Sequence, residues 1–295
     1  MDLSPLVISY ENNFSGSKNA QNLKYTLENN GWEHVFIGEG KTWSGVEDKI
    51  DGYFNYLLEL PTNKVVVLVD SRDVLCCRSP KSFLDKITPI INENKIIVSA
   101  ELFLHGHIDW SEHKIKEVIE QNPRFFWQGI PLTRYMEFYG IDKTTYHRKY
   151  VNSGLIAGKA CDLLEAFRWI RENNFVDDQL GLATYTNTFP EKVYLDYKAE
   201  ILHTTSSFVN GGFYKMAIQR TDAPNMFELL GHSSYFLHVP GINVSAGQQT
   251  LYNYCLHILS KNKDGDKLLY NLYNLTEEEC KRTSYDINIF YANDT

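Results

Sequence analysis

A chain of 295 residues with 43% hydrophobic, 22% charged and 14% aromatic residues has the make-up of an ordinary globular protein, which excludes disorder, collagen and coiled coil. At this length folding removes about three quarters of the unfolded chain's surface from water, so a large core forms without disulfides or structural metal. The formal net charge of -8, with no run of Lys or Arg interleaved with aromatics, argues against nucleic acid and anionic membrane as partners. An anionic ligand would need local positive charge or a metal.

The five cysteines include the adjacent pair Cys76 and Cys77. None has C-x-x-C spacing, which predicts free, mostly buried thiols in a reducing compartment. Met1-Asp2-Leu3-Ser4-Pro5 runs straight into the apolar Leu6-Val7-Ile8-Ser9-Tyr10, without a basic leader or a long apolar span, so the expected location is cytoplasmic. The sequons at Asn243-Val244-Ser245 and Asn274-Leu275-Thr276 then read as chance.

Leu6–Tyr10 is predicted as the first strand. Ser17 caps a helix carrying Ala20, Leu23 and Leu27, and Asn30-Gly31 ends it, opening a βαβ unit. Val35-Phe36-Ile37 is a second short strand, followed by a glycine-rich loop. Ile50, Tyr53, Phe54, Leu57 and Leu58 form a helical apolar stripe closed by Pro61. Val65-Val66-Val67-Leu68-Val69 is aliphatic without alternation, as expected of a central parallel strand covered on both faces, and it ends on Asp70. Ser79-Pro80 caps another helix, and Lys95–Ser99 is a strand. Tyr150-Val151 is strand-like and leads into Asn152-Ser153-Gly154. Leu163, Phe167 and Ile170 share a helix face, and Asp177-Asp178 open a further amphipathic segment. No repeat or linker divides the chain, so residues 1–295 are expected to form one α/β domain with a mostly parallel sheet flanked by helices and an irregular helical C-terminal part.

Asp70-Ser71-Arg72-Asp73 ends the most buried strand. Ligands of open parallel sheets bind at that edge, and two carboxylates three positions apart can converge on one hard cation that also takes phosphate oxygens. The plainer alternative is that Asp70 ends the strand and Asp73 makes a local turn. Asn152-Ser153-Gly154, Asp177-Asp178-Gln179 and Phe236-Leu237-His238 each lie beside a predicted strand or helix start. His105 and His107 form a loop pair better read as unliganded than as a zinc site.

In this order, these motifs resemble the glycosyltransferase domain of the procollagen lysyl hydroxylases, a metal-dependent nucleotide-sugar enzyme of GT-A type, over roughly residues 5–245, leaving 246–295 as an extension. The family's Asp-Ser-aromatic-Asp is similar to Asp70–Asp73, its Ser-Ala-Glu to Ser99-Ala100-Glu101, and its Leu-Asn-Ser-Gly-Gly to Val151–Leu155. The acidic run before Gln-Leu matches Asp177–Leu180, and Leu-Asp-His-Lys matches Leu195-Asp196-Tyr197-Lys198. The resemblance implies a manganese or similar divalent ion held by Asp70, Asp73 and His238, and a UDP-sugar donor met by Trp43, Lys49, Arg72 and Glu101. It implies sugar or acceptor contacts from Asn152, Asp177 and Asp178. For Lys49 the alternative is a solvated lysine on the polar side of its helix; for Glu101, a strand-end carboxylate; for Asn152, a backbone-satisfying turn residue.

This sequence departs from the family at Arg72, where the motif has an aromatic residue, although a planar guanidinium can also stack on a base. It departs again at His238-Val239-Pro240-Gly241, where the family has His-Gly-Asn-Gly, and in the region from Phe103 to His147. The expected activity is hexosyl transfer, glucose before galactose, to a hydroxylated acceptor such as collagen-like hydroxylysine or galactosyl-hydroxylysine. The alternatives are a metal-dependent hydrolase or nucleotidyltransferase and a catalytically silent carbohydrate-binding relative.

Overall fold

The structure, a computed structural model, describes residues 4–101, 133–140, 150–204 and 234–242, together with Gln249, Tyr252, Asn253 and Leu256. The histidine pair of the 100s loop, both sequons and nearly all of the C-terminal extension lie outside the described residues.

The chain opens with strand β1 (Leu6–Tyr10), helix α1 (Lys18–Asn29), β2 (Glu33–Ile37), α2 (Val46–Leu58) and β3 (Val65–Asp70). The Ser17 side chain accepts the Ala20 N–H at the start of α1, which satisfies one of the helix's orphan donors. Then follow β4 (Val74–Cys76), α3 (Pro80–Ile91), β5 (Ile96–Glu101) and the short α4 (Thr133–Phe138). After these come β6 (Tyr150–Lys159), α5 (Ala160–Glu172), α6 (Asp178–Thr188), β7 (Val193–Asp196), β8 (Leu202–Thr204) and β9 (Phe236–His238).

The nine strands of the described residues join one sheet in the order β2-β1-β3-β6-β5-β8-β9-β4, with β7 also paired to β5. Five of the pairings are parallel, including both made by β1. The α/β class and the mostly parallel, helix-flanked sheet are as expected. The antiparallel β6, seated between β3 and β5, is not what the aliphatic run of β3 suggested. Burial on both faces produces such a run whichever way the neighbour points.

Alternate residues of the strands feed two cores. Ile8, Val66, Leu68, Val98 and Ile156 pack with Ile50, Tyr53 and Leu57 of α2 and with Leu163, Phe167 and Ile170 of α5. Val7, Val67, Val69, Ile97 and Leu155 pack on the other face with Leu23 and Leu27 of α1 and with Phe83, Ile87 and Ile91 of α3. Helix α6 is buried nearly all round, from Leu180 to Asn187, rather than amphipathic. Asp196 is fully buried because its carboxylate accepts the backbone N–H groups of Glu200, Ile201 and Leu202, which turns β7 into β8.

Two features of the sheet create the site. Tyr10 and Asp70 are register partners at the ends of the parallel strands β1 and β3, so the residues that follow them emerge side by side. On β6 the register against β5 jumps from Ile156 opposite Val98 to Asn152 opposite Ser99, leaving Ser153, Gly154 and Leu155 bulged. A bulge re-aims side chains, and this one lies at the edge where β3 ends. The motif that looked like a turn after Tyr150-Val151 is therefore an irregularity inside a ten-residue strand. Among the described residues, no helix is long and apolar enough to cross a membrane.

Candidate functional site

A cavity of about 550 Å³ opens at the carboxyl edge of β1 and β3, lined by Tyr10, Glu11, Asn12, Asn13, Trp43, Lys49, Asp70, Ser71, Arg72 and Asp73. The chain supplies these residues from three places. The end of β1 gives Tyr10 and Glu11, the start of α2 and the loop before it give Lys49 and Trp43, and the turn from β3 to β4 gives residues 70–73.

Asp70, Asp73 and His238 offer one ligand atom each, all within 4.8 Å of one another. The His238 Nε2 lies 3.3 Å from Asp73 Oδ1 and 3.7 Å from Asp70 Oδ2. Strand β9 places it there by pairing His238 with Val74, and the Val239 N–H donates to the Asp73 carbonyl at 2.8 Å, locking the turn to the strand. Burial pushes the His238 pKa down, but the Asp73 and Asp70 carboxylates outweigh it and the net shift is upward. A Cβ on Gly154 would fall 2.3 Å from His238 Cε1 and 2.8 Å from Asp70 Oδ2, so only glycine admits this approach.

These residues fit a divalent cation. Two carboxylate oxygens and an imidazole nitrogen are a donor set that divalent metal ions accept. The far ring nitrogen of His238 is held by Asn152 Oδ1 at 2.9 Å, as the outer shell of a metal-binding imidazole requires.

Lys49 is not a solvated lysine. Its side chain is 12% exposed, and its ammonium pairs with Asp70 and, at 2.7 Å, with Asp178. Desolvation would lower its pKa, but Asp178 and Asp70 more than offset this and raise it well above the ordinary lysine value. Asp178 therefore meets Asp70 through a shared cation. Asp177, by contrast, caps α6, its carboxylate accepting the Leu180 N–H at 2.7 Å.

Asn152 does satisfy backbone, accepting the Gly154 N–H at 2.9 Å, and it also reaches His238. Glu101 is fully buried at the end of β5 and accepts from Gln179 Nε2 at 3.0 Å. Gln179 in turn presents its Oε1 to Asn152 Nδ2 at 3.4 Å. Glu101 and Asn152 thus belong to a polar layer behind His238. Trp43 stands at the cavity wall, 47% exposed, with its ring 5.8 Å from that of Tyr10. Arg72 lines the cavity with its guanidinium clasped by Glu11, Nε to Oε2 at 2.8 Å and Nη2 to Oε1 at 2.7 Å.

Glu11 is the residue that sequence reasoning missed. It is buried, and it also accepts from the Ser71 hydroxyl at 2.8 Å. The signal was an acid directly after the apolar run of β1, the same pattern that drew attention to Asp70. Gln179 enters the sequence reading only as part of the Asp177–Leu180 motif, because its bridging position depends on the packing of α6.

No protein-family model matches the chain. Among curated proteins it is similar to an uncharacterized protein of Acanthamoeba polyphaga mimivirus, 26% identical over 179 residues, which are 57% of this chain. The match spans about a third, 32%, of that relative's length. Among solved structures it is similar to a glycosyltransferase involved in the glycosylation of the major capsid of PBCV-1, with TM-score 0.43 and 11% identity over 84% of this chain and 98% of the other. It is also similar to mouse xyloside xylosyltransferase 1 in its apo form, with TM-score 0.46 and 9% identity over 82% of this chain and 98% of the other.

Proposed function

We propose that this protein is a metal-dependent glycosyltransferase of GT-A type that moves a hexose, glucose first and galactose second, from a UDP-sugar to a hydroxylated acceptor such as collagen-like hydroxylysine or galactosyl-hydroxylysine. The observation that carries the reading is the convergence of Asp70, Asp73 and His238 on one point beside a cavity whose wall includes Lys49. The ordered motifs shared with the procollagen lysyl hydroxylase domain support the substrate class.

Transfer of a glycosyl group develops positive charge at the anomeric carbon while a diphosphate departs, so the site must neutralise the diphosphate and stabilise the sugar. Asp70, Asp73 and His238 would hold a divalent cation, which supplies Lewis-acid neutralisation of the leaving group. Lys49 adds a second positive charge for the same diphosphate. Trp43 offers an exposed ring, and Arg72, held by Glu11, a flat guanidinium face to the nucleoside. Asp178, anchored beside Asp70 through Lys49, is our choice over the helix-capping Asp177 for contact with the sugar or acceptor, and for the base if the reaction inverts configuration.

The test is a screen of UDP-sugars for manganese-dependent release of UDP with hydroxylysine and galactosyl-hydroxylysine peptides as acceptors. Acceptor-dependent release supports transfer. Release that is indifferent to every acceptor points to the hydrolase, and UDP binding without turnover to the silent relative. Absence of any manganese-dependent UDP binding defeats the reading.

A further inference from the structure

The Lys49 ammonium stands between carboxylates from two elements, Asp70 at the end of β3 and Asp178 in the first turn of α6, the latter 2.7 Å away. Lys49 pairs with Asp70 through Oδ1. The other oxygen of that carboxylate, Oδ2, faces His238 Nε2 at 3.7 Å and the cleft beside Gly154. A single carboxylate therefore serves a fixed cation on one side and the candidate divalent-cation point on the other. With so little of Lys49 exposed, its charge acts through protein rather than bulk water, where Coulomb interactions are stronger. Two cations sharing a carboxylate repel, so the ammonium opposes a divalent ion in the free protein. A diphosphate in the cavity, which Lys49, Asp70 and Asp73 all line, attracts both cations and converts the opposition into joint binding.

We propose that Lys49 makes divalent-cation binding conditional on the diphosphate, and that Asp178 sets the strength of this condition by offsetting part of the ammonium's charge while the ammonium rests on Asp70. The inference rests on the reading of the cavity as a nucleoside-diphosphate and cation site. Coupling of this kind is reciprocal: the factor by which UDP tightens manganese is the factor by which manganese tightens UDP.

The experiment titrates Mn2+ into the full chain by calorimetry, with and without saturating UDP, in wild type and three variants. Lys49→Met removes the opposing charge, so affinity for Mn2+ alone rises about tenfold and the coupling factor falls correspondingly, within the usual range of site-to-site coupling. Asp178→Asn removes the second counter-charge and leaves the ammonium to Asp70 alone, so affinity for Mn2+ alone falls severalfold and coupling grows. Lys49→Arg keeps the charge and most of the coupling. A purely structural role would shift Lys49→Met and Asp178→Asn in the same direction. If Lys49→Met does not fold, Asp178→Asn against Lys49→Arg still reads the sign. Mn2+ binding weakened in both Lys49→Met and Asp178→Asn, or coupling unchanged in Asp178→Asn, overturns the inference alone. A wild-type protein that binds neither Mn2+ nor UDP overturns the function reading, and the inference with it.

Discussion

Asn152 Oδ1 lies 2.9 Å from His238 Nδ1 and accepts the Gly154 N–H at 2.9 Å. The backbone donor fixes that atom as the acceptor, so His238 carries its proton on Nδ1 in the neutral ring and turns the Nε2 lone pair toward Asp73 and Asp70. The orientation of the His238 ring is thus set from behind by a bulged strand.

Asn152→Ala should therefore weaken Mn2+ binding by about 10–100-fold, the usual penalty for losing an outer-shell partner. Asn152→Asp, which keeps an acceptor at that place, should retain most of the affinity. Calorimetric titration of the two variants checks this, and equal affinities in wild type and Asn152→Ala would remove Asn152 from the site.

Gly154→Ala should damage the site more than the fold. Its Cβ would collide with His238 and Asp70, whereas a Cβ on Gly158 of the same strand would meet nothing nearer than 3.3 Å, at Ile96 Cγ2. Overpacking costs about 1–3 kcal/mol in stability, and displacement of two ligands should abolish Mn2+ binding at millimolar concentration, roughly the weak end of ordinary affinities. Gly158→Ala should bind Mn2+ as wild type does. Thermal melting together with Mn2+ titration separates the two variants.

The Glu11–Arg72 clasp should show in the acid limb of stability. Burial raises the Glu11 pKa, but hydrogen bonds from Arg72, the Asn13 N–H and Ser71 outweigh it, and the net value is below the ordinary 4.5. Charged Glu11 therefore stabilises the fold above the unfolded-state pKa, and this contribution disappears as pH falls through the depressed folded value. Glu11→Gln should cost about 1–2 kcal/mol at neutral pH, as expected for hydrogen bonds to a charged group with one partner half in solvent. The difference from wild type should shrink toward pH 3 as this contribution titrates away. Urea unfolding at the two pH values measures it, and a constant difference would show that charge is not involved.

Nucleotide binding should be read by Trp43 and Arg72. UDP should quench tryptophan fluorescence in the wild type and not in Trp43→Phe, because Trp43 is the tryptophan on the cavity wall among the described residues. Arg72→Ala should weaken UDP about tenfold, within the range of an alanine-truncated stacking contact, and Arg72→Tyr should restore much of it. Unchanged UDP affinity in Arg72→Ala would mean that the guanidinium serves Glu11 only.

What the sequence made legible was local. Val65–Val69 announced a buried strand and Asp70–Asp73 a cluster at its end. Ser17 and the Ile50–Leu58 stripe marked helices through capping and period, which depend on neighbours in the chain. The pairing direction of β6 depends on strands distant in sequence, and its bulge hid a long strand behind a turn-like Asn-Ser-Gly. Lys49 shows the limit most clearly. A lysine on an amphipathic helix reads as solvated, and only the arrival of Asp178 on a helix more than a hundred residues later encloses it.

His238 arrives late in more than one sense. His238 stands on a three-residue strand between β8 and β4, so Asp70 and Asp73 can be in place with the first βαβ units, while His238 must wait for a distant segment to dock. Long-range pairings of this kind are the slow steps of folding. A cation that grips all three residues would favour the docked strand by mass action. If the three residues do hold a cation, divalent-ion supply during synthesis would raise the share of chain that reaches the finished state, and a protein produced in chelator would be short of folded molecules.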